Sequence, residues 1–464
     1  MNAALHTLIL LLVGLVPSDP EALVARLGSP RYADRESAAR DLVELGREAL
    51  PALSAARQSP DPEIRSRSGI LLTKIERQIL IEPTRIMLDF QDRPLEEVVR
   101  VVGERSGIPL VLVPAGHPHW RSRRLTLQAS EPIPFWETLD RLTEAGQVQL
   151  FQPLSLRAGP TGRTEPIRLV GTHSGPVLPS SDAGPLRVYL HEVKLERQVS
   201  YLQHSAVPSV LFGEPGARPG PNTNRTQPPV EEQFYVVMQL IGEPRLMLSQ
   251  QGPLRILEAV DDRGQSLLPP EATDQELTIR SAGYLGWNAG QSMLQLQTFL
   301  QRPEQPGERM ALLRGTVPLT VASLKPDPLS IRLEGAKGRT FEAEDMRLTV
   351  EQVHDGADGQ PLSLELVLQP IGEAGAAGHD APLVAEVSGS RALQAAQNRL
   401  EVVDEQGRAY RVLPNHPRIE AGATRLTLML MPGGEIGPPV EVRYYGLVEA
   451  ETEITFEFRE ILIP

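Results

Sequence analysis

The sequence predicts a multidomain α+β chain: a short helical array, a small split βαβ domain, then two related all-β sandwich domains. Three observations predict it. Apolar residues recur at helical spacing over 19–81, with a repeat of 30 residues. Strand-like and helix-like stretches follow the order β-α-β-β-α-β over 84–172. From residue 186 onward, short alternating strands are punctuated by Gly and Pro, and their pattern occurs twice.

Length and composition bound the function classes. At 464 residues the chain has room for about three domains. It contains no cysteine, which excludes disulfides, thiolate metal sites and cysteine nucleophiles. A net charge of −13 argues against nucleic acid as a general partner, and 4% aromatic residues leave no broad stacking platform.

Leu8 to Val16 is an unbroken apolar run, ended by Pro17-Ser18-Asp19-Pro20. As a helix it spans about 14 Å, roughly half a bilayer core, which suits the apolar region of a secretory signal. No Lys or Arg precedes it and no Ala-x-Ala site follows. Residues 1–18 are expected to be a signal peptide, or an anchor through 8–16, and the protein to be periplasmic or secreted.

Over 19–81, Pro20-Glu21 opens a first helix and Ser29-Pro30 breaks it. Leu42, Val43 and Leu45 mark a second, closed by Gly46; a third runs from about Arg47 to Arg57 and a fourth follows Pro62-Glu63. Ser29-Pro30 recurs as Ser59-Pro60, and Leu42 and Leu45 align with Leu72 and Ile75. The run Ala38 to Gly46 followed by Ala49-Leu50-Pro51-Ala52-Leu53 resembles HEAT-type repeats. That resemblance implies a protein-binding module or a packing cap on the next domain.

Over 84–172, Ile86–Phe90, Ile108–Val113, Arg124–Ala129 and Val148–Phe151 read as strands, with helices from Arg93 to Val102 and from Pro134 to Leu142. Leu88-Asp89-Phe90, Pro94-Leu95-Glu96-Glu97-Val98-Val99 and Leu125-Thr126-Leu127 resemble the short N-terminal domain of secretins and TonB-dependent receptors. The resemblance implies protein–protein contacts in the cell envelope. Gly116-His117-Pro118-His119-Trp120 replaces a shorter connection in that family's pattern. Residues 173–185 are expected to be a linker.

The remainder divides into units at 186–345 and 346–464. Leu186–Val193 matches Met346–Val353, Phe234–Glu243 matches Leu364–Glu373, and Val260–Gln265 matches Val403–Arg408. The Asp-x-x-Gly elements are hairpin turns. The Pro-rich segment 205–233 is expected to be a disordered insertion. In module order and style the chain resembles multidomain envelope proteins of high-GC bacteria such as planctomycetes.

Few residue sets carry chemistry. His117-x-His119 has the spacing of a half-site for zinc, with Glu131, Glu137 and His173 as the nearest further ligands in sequence. Tyr284 and Trp287 lie in a Gly-rich loop suited to a partner or a polysaccharide. Arg121-Ser122-Arg123-Arg124 is the densest basic run. His354-Asp355-Gly356-Ala357-Asp358-Gly359 lacks the oxygen pattern of a calcium loop. No catalytic residue and no cofactor is assigned. The leading expectation is a non-enzymatic, exported envelope scaffold whose partners are envelope proteins, with membrane contact only through the N-terminal segment. The alternatives are a metal- or polysaccharide-binding sensory protein, and a hydrolase whose dispersed pocket gathers His191, His204 or His354.

Overall fold

The computed structural model describes residues 19–151, 166–171, 178–199, 230–250, 252–269, 292–354, 356, 362–371, 399–420, 423–431 and 436–464. The expected signal segment, Tyr284, Trp287, His173, His204 and most of the 205–233 insertion lie outside them. About 25% of the described residues are helical and 47% are in strands, spread over several separate sheets with no barrel, so the chain is a strand-dominated α/β protein. The chain forms two compact units, one of residues up to Glu82 together with Val448–Ala450, the other of Pro83–Leu447 and Glu451–Pro464.

The first unit holds α1 (Pro20–Arg26), α2 (Tyr32–Leu45), a 3-10 turn (Gly46–Ala49), α3 (Leu50–Ala56) and α4 (Pro62–Ile81). Asp61 caps α4, accepting from Glu63 N at 2.8 Å, and Gly46 ends α2 at φ +55°. The 30-residue offset is visible bond by bond. Arg31 N donates to Ser29 Oγ and Asp61 N to Ser59 Oγ, at 3.2 and 3.3 Å. Arg35 and Arg65 donate to the carbonyls of Ser29 and Ser59, at 2.8 and 2.5 Å. Leu23, Leu42, Leu53 and Leu72 sit in one apolar core.

The second unit opens with β1 (Arg85–Ile86), β2 (Asp89–Pro94), α5 (Leu95–Ser106), β3 (Leu110–Val113), α6 (Pro118–Ser122), β4 (Arg124–Gln128), β5 (Ile133–Pro134), α7 (Phe135–Gly146), β6 (Val148–Leu150) and β7 (Ile167–Gly171). Leu95, Val98, Val99 and Val102 give α5 one buried stripe, and Gly107 ends it at φ +68°. Phe135, Trp136, Leu139 and Leu142 do the same for α7. β1 pairs with β5 and β2 with β4, and the third sheet has the order β3-β7-β6. β7, which runs parallel to β3, is a strand that the sequence pattern did not suggest.

Then follow β8 (Ser180–Ala183), β9 (Leu186–Val199), β10 (Val230–Gly242), β11 (Met247–Gln250), β12 (Arg255–Asp261), β13 (Met293–Leu300), β14 (Arg309–Leu324) and β15 (Leu329–Arg332). The last are β16 (Thr340–Glu342), β17 (Met346–His354), β18 (Ser363–Pro370), β19 (Leu400–Val403), β20 (Arg411–Glu420), β21 (Ala423–Met431), β22 (Glu441–Tyr444) and β23 (Leu447–Leu462). The duplication is topological. A sheet of order β13-β10-β9-β8 is matched by β21-β18-β17-β16, with β20 added at its edge. In both copies the first long pair carries a bulge at one place, His191 in β9 and Glu351 in β17.

Four expectations are corrected. The proposed linker 173–185 contains β8, a polar strand paired with β9; Ser180 to Ala183 has too few apolar residues to signal a strand. Val230–Gln233, expected within the disordered insertion, begins β10. The repeat is also displaced by two residues from the sequence match, since Gly242 faces Leu186 and Pro370 faces Met346. A shift of two leaves every side chain on its face, so alternation cannot detect it.

The boundary at 345/346 does not separate the copies. β15 pairs with β22, whereas β23 pairs with β14. The second β unit therefore runs from about β15 to β22 and is inserted within the first, whose chain leaves after β14 and returns as β23. The two crossings touch, with Lys325 N donating to Gly446 O at 2.9 Å. Phe456 and Phe458 of β23 are buried. The inserted unit has its own core, in which Leu348, Leu366 and Leu426 of one sheet meet Val402, Val442 and Tyr444 of the other.

Candidate partner-binding site

His117 caps α6, its Nδ1 accepting from His119 N at 3.3 Å. Both imidazoles are exposed, with ring centroids 6.5 Å apart, and flank the buried Trp120. The x-spacing thus falls on the first turn of a short helix and not on a strand face, and one ring nitrogen of His117 is engaged by main chain. Among the described residues, no three His, Asp or Glu side chains gather as a metal set. The basic run is likewise partnered: Arg121 with Glu96 at 2.9 Å, Arg124 with Asp92 at 2.8 Å, and Arg123 with the Gly146 carbonyl at 2.5 Å. The Arg124 guanidinium holds the Asp92 carboxyl below its usual range. His191 meets Gln239 at 3.0 Å and His354 lies 3.7 Å from Glu365, on strands of different sheets.

A buried clamp joins the α/β elements to the first β unit. Arg187 of β9 is 2% exposed and bonds Asp140 of α7 through both terminal nitrogens, each at 2.6 Å. It also holds Asp182 of β8 at 2.5 and 2.7 Å and lies over the Trp136 ring. Burial works against its charge, but the two carboxylates win and hold it firmly protonated. Trp136 Nε1 donates to Pro185 O at 3.1 Å. Glu243, fully buried, takes Thr84 N and Oγ1 at 2.8 and 2.6 Å and Arg245 at 2.9 Å. Tyr189 and Ile241 complete the apolar part of this junction.

Beside α5 the α/β elements leave a cleft of about 490 Å³, lined by Val99, Gly103, Leu110, Val111, Leu112 and Ala115. β3, which lines it, is an edge strand of its sheet. Among the described residues Val111 and Val113 of this strand are each 38% exposed. No signal in the sequence marks this cleft. Leu110 to Val113 reads as any half-buried strand, and its position at an edge depends on β7, which follows more than fifty residues later.

The geometry defines a class, a mixed α/β protein of several separate sheets with an exposed edge strand. Comparison with family models, curated proteins and solved structures finds no match to this chain.

Proposed function

We propose that this is a non-enzymatic, exported cell-envelope protein that holds other envelope proteins together. In this reading its modules are a HEAT-like helical array, an α/β module like the short N-terminal domain of secretins and TonB-dependent receptors, and two related β-sandwich units. One observation carries it: among the described residues β3 pairs on one side only, with β7, and presents an uncharged strand edge beside a cleft. An edge of this kind is a template for pairing with another chain, and native proteins ordinarily blunt it with charge, proline or a bulge.

Cell fractionation with intact-mass measurement tests the reading. The expected product is recovered from the periplasmic or outer fraction, shortened by about 18–25 residues if a signal is removed. Photo-crosslinkers placed at surface positions of the full chain are expected to capture discrete envelope proteins. A full-length cytosolic protein overturns it.

A further inference from the structure

We propose that the outer edge of β3 is a strand-acceptor site whose occupant is an uncharged, proline-free extended segment of another protein, about four or five residues long. This rests on the interaction reading above and gives it a place and a chemistry.

The register fixes which groups are on offer. Ile167 N donates to Pro109 O at 2.9 Å, and Leu110 and Leu112 stand opposite Ile167 and Leu169 in the parallel pair. Main-chain groups alternate along a strand, so Val111 and Val113 face β7 while the N–H and C=O of Leu110 and Leu112 point outward. Two donors and two acceptors at strand spacing are matched by the backbone of another strand. Gly103 lets α5 pack closely on the start of β3, where a Cβ would stand 3.2 Å from Ile108 O and 3.3 Å from Leu110 N.

Three other edges of the described sheets are blunted in ways that β3 is not. β2 carries Asp89, Asp92 and Arg93 and a register break. β20 contains Pro414 and Pro417 and is broken between Asn415 and Arg418. β8 is crossed by β23, Glu457 N donating to Ser181 Oγ at 3.1 Å. Between Pro109 and Pro114, β3 has no charge, no proline and no bulge.

Charge selects the occupant. The ionised groups lining the cleft are already paired, Arg100 with Glu104 at 2.6 Å and Glu96 with Arg121 at 2.9 Å. A charged segment would lose hydration there without gaining a counter-charge. Exposed Val111 and Val113 favour β-branched or other apolar neighbours across the strand pair.

The test uses the full chain and a fluorescein-labelled octapeptide of alternating Val and Thr, read by anisotropy. Saturable binding is expected. It should weaken about tenfold or more in the Val111→Lys/Val113→Lys double variant, which charges the edge. Ala115→Trp, which fills the cleft from an exposed loop position, should weaken it about as much, and both variants should melt as the parent does. Peptides with central prolines or alternating Lys should bind about tenfold less well or worse. Equal binding to parent and both variants, or none to the parent, overturns the site. Sedimentation that shows self-association abolished by the double variant overturns the choice of occupant in favour of a second copy. Crosslinks captured from other surfaces but never from position 111 remove the site and leave the interaction reading standing; none from any position removes both.

Discussion

Asp261 and Asp404 occupy one place in two copies of the same turn. Asp261 accepts from the N–H groups of Arg263, Gln265 and Gly307 at 3.0, 2.7 and 2.9 Å, and Asp404 from those of Gln406, Arg408 and Gly437 at 3.0, 2.8 and 3.0 Å. Gly264 and Gly407 take φ +76° and +74°, which only glycine adopts without strain, and each N–H returns to its aspartate carbonyl at 3.0 Å. Both aspartates are thus turn formers, and their chemistry is directed at the chain's own backbone.

Burial pushes the Asp261 carboxyl up, but the N–H groups of Gln265, Gly307 and Arg263 outweigh it and hold it below the usual carboxylate range. The folded value therefore lies below the unfolded one near 3.9, so its contribution is present above about pH 4 and is lost as pH falls through the folded value. Asp261→Asn should lower stability at pH 7 by about 1–3 kcal/mol and flatten the acid limb. Urea midpoints at pH 7 and pH 3 check this; parallel pH dependence in parent and variant would contradict it.

Arg187 and Arg347 are equivalent by repeat, each paired across strands with an acid, Asp182 or Glu342. The first is buried against α7; the side chain of the second is 42% exposed. Arg187→Ala should cost more, about 1–3 kcal/mol, since it empties a buried site over the Trp136 ring and removes the hydrogen bonds to Asp140 and Asp182. Arg347→Ala should cost under about 1 kcal/mol. Denaturant titrations of both full-length variants decide, and equal costs would refute the assigned asymmetry.

Gly315 of β14 has no room for a side chain. A Cβ would lie 2.6 Å from both Arg255 O and Phe456 Cζ. Gly315→Ala should destabilise by about 1–3 kcal/mol through overpacking, and Phe456→Ala by about 3–5 kcal/mol through the cavity left beneath β23. Hydrogen exchange should show β23 losing protection in both variants, ahead of the inserted unit.

Because Lys325 and Gly446 are bonded neighbours, residues 326–445 should be replaceable by a short Gly-Ser link. The shortened chain is expected to keep the Trp136 environment, read by its fluorescence, since Trp136 bonds Pro185 O and lies under Arg187, both of which it retains. A shifted emission maximum matching the denatured chain would show that the host needs its insert.

What the sequence made legible follows the range of the interaction. The helices up to Ile81, α5 and α7 are set by local periodicity and caps, and they lie where Leu42, Val98 and Leu139 placed them. The duplicated turn was legible because Asp, Gly and their spacing act within a few residues. Which edge β23 would join was not, since β14 and β22 offer alternating strands of the same kind. The clamp was hidden for a similar reason: nothing near Arg187 in the chain announces Asp140, which comes from an earlier helix. The cleft beside α5 exists only once β7 has closed the opposite side of β3.

The nesting of one β unit inside the other also sets a load path. Tension applied between Pro83 and Pro464 would run through β14 and across to β23, and the detour from Lys325 to Gly446 would stay slack. The inserted unit would feel force only after β23 had been stripped from its neighbour. A chain nested this way yields first at a strand with two buried phenylalanines, Phe456 and Phe458.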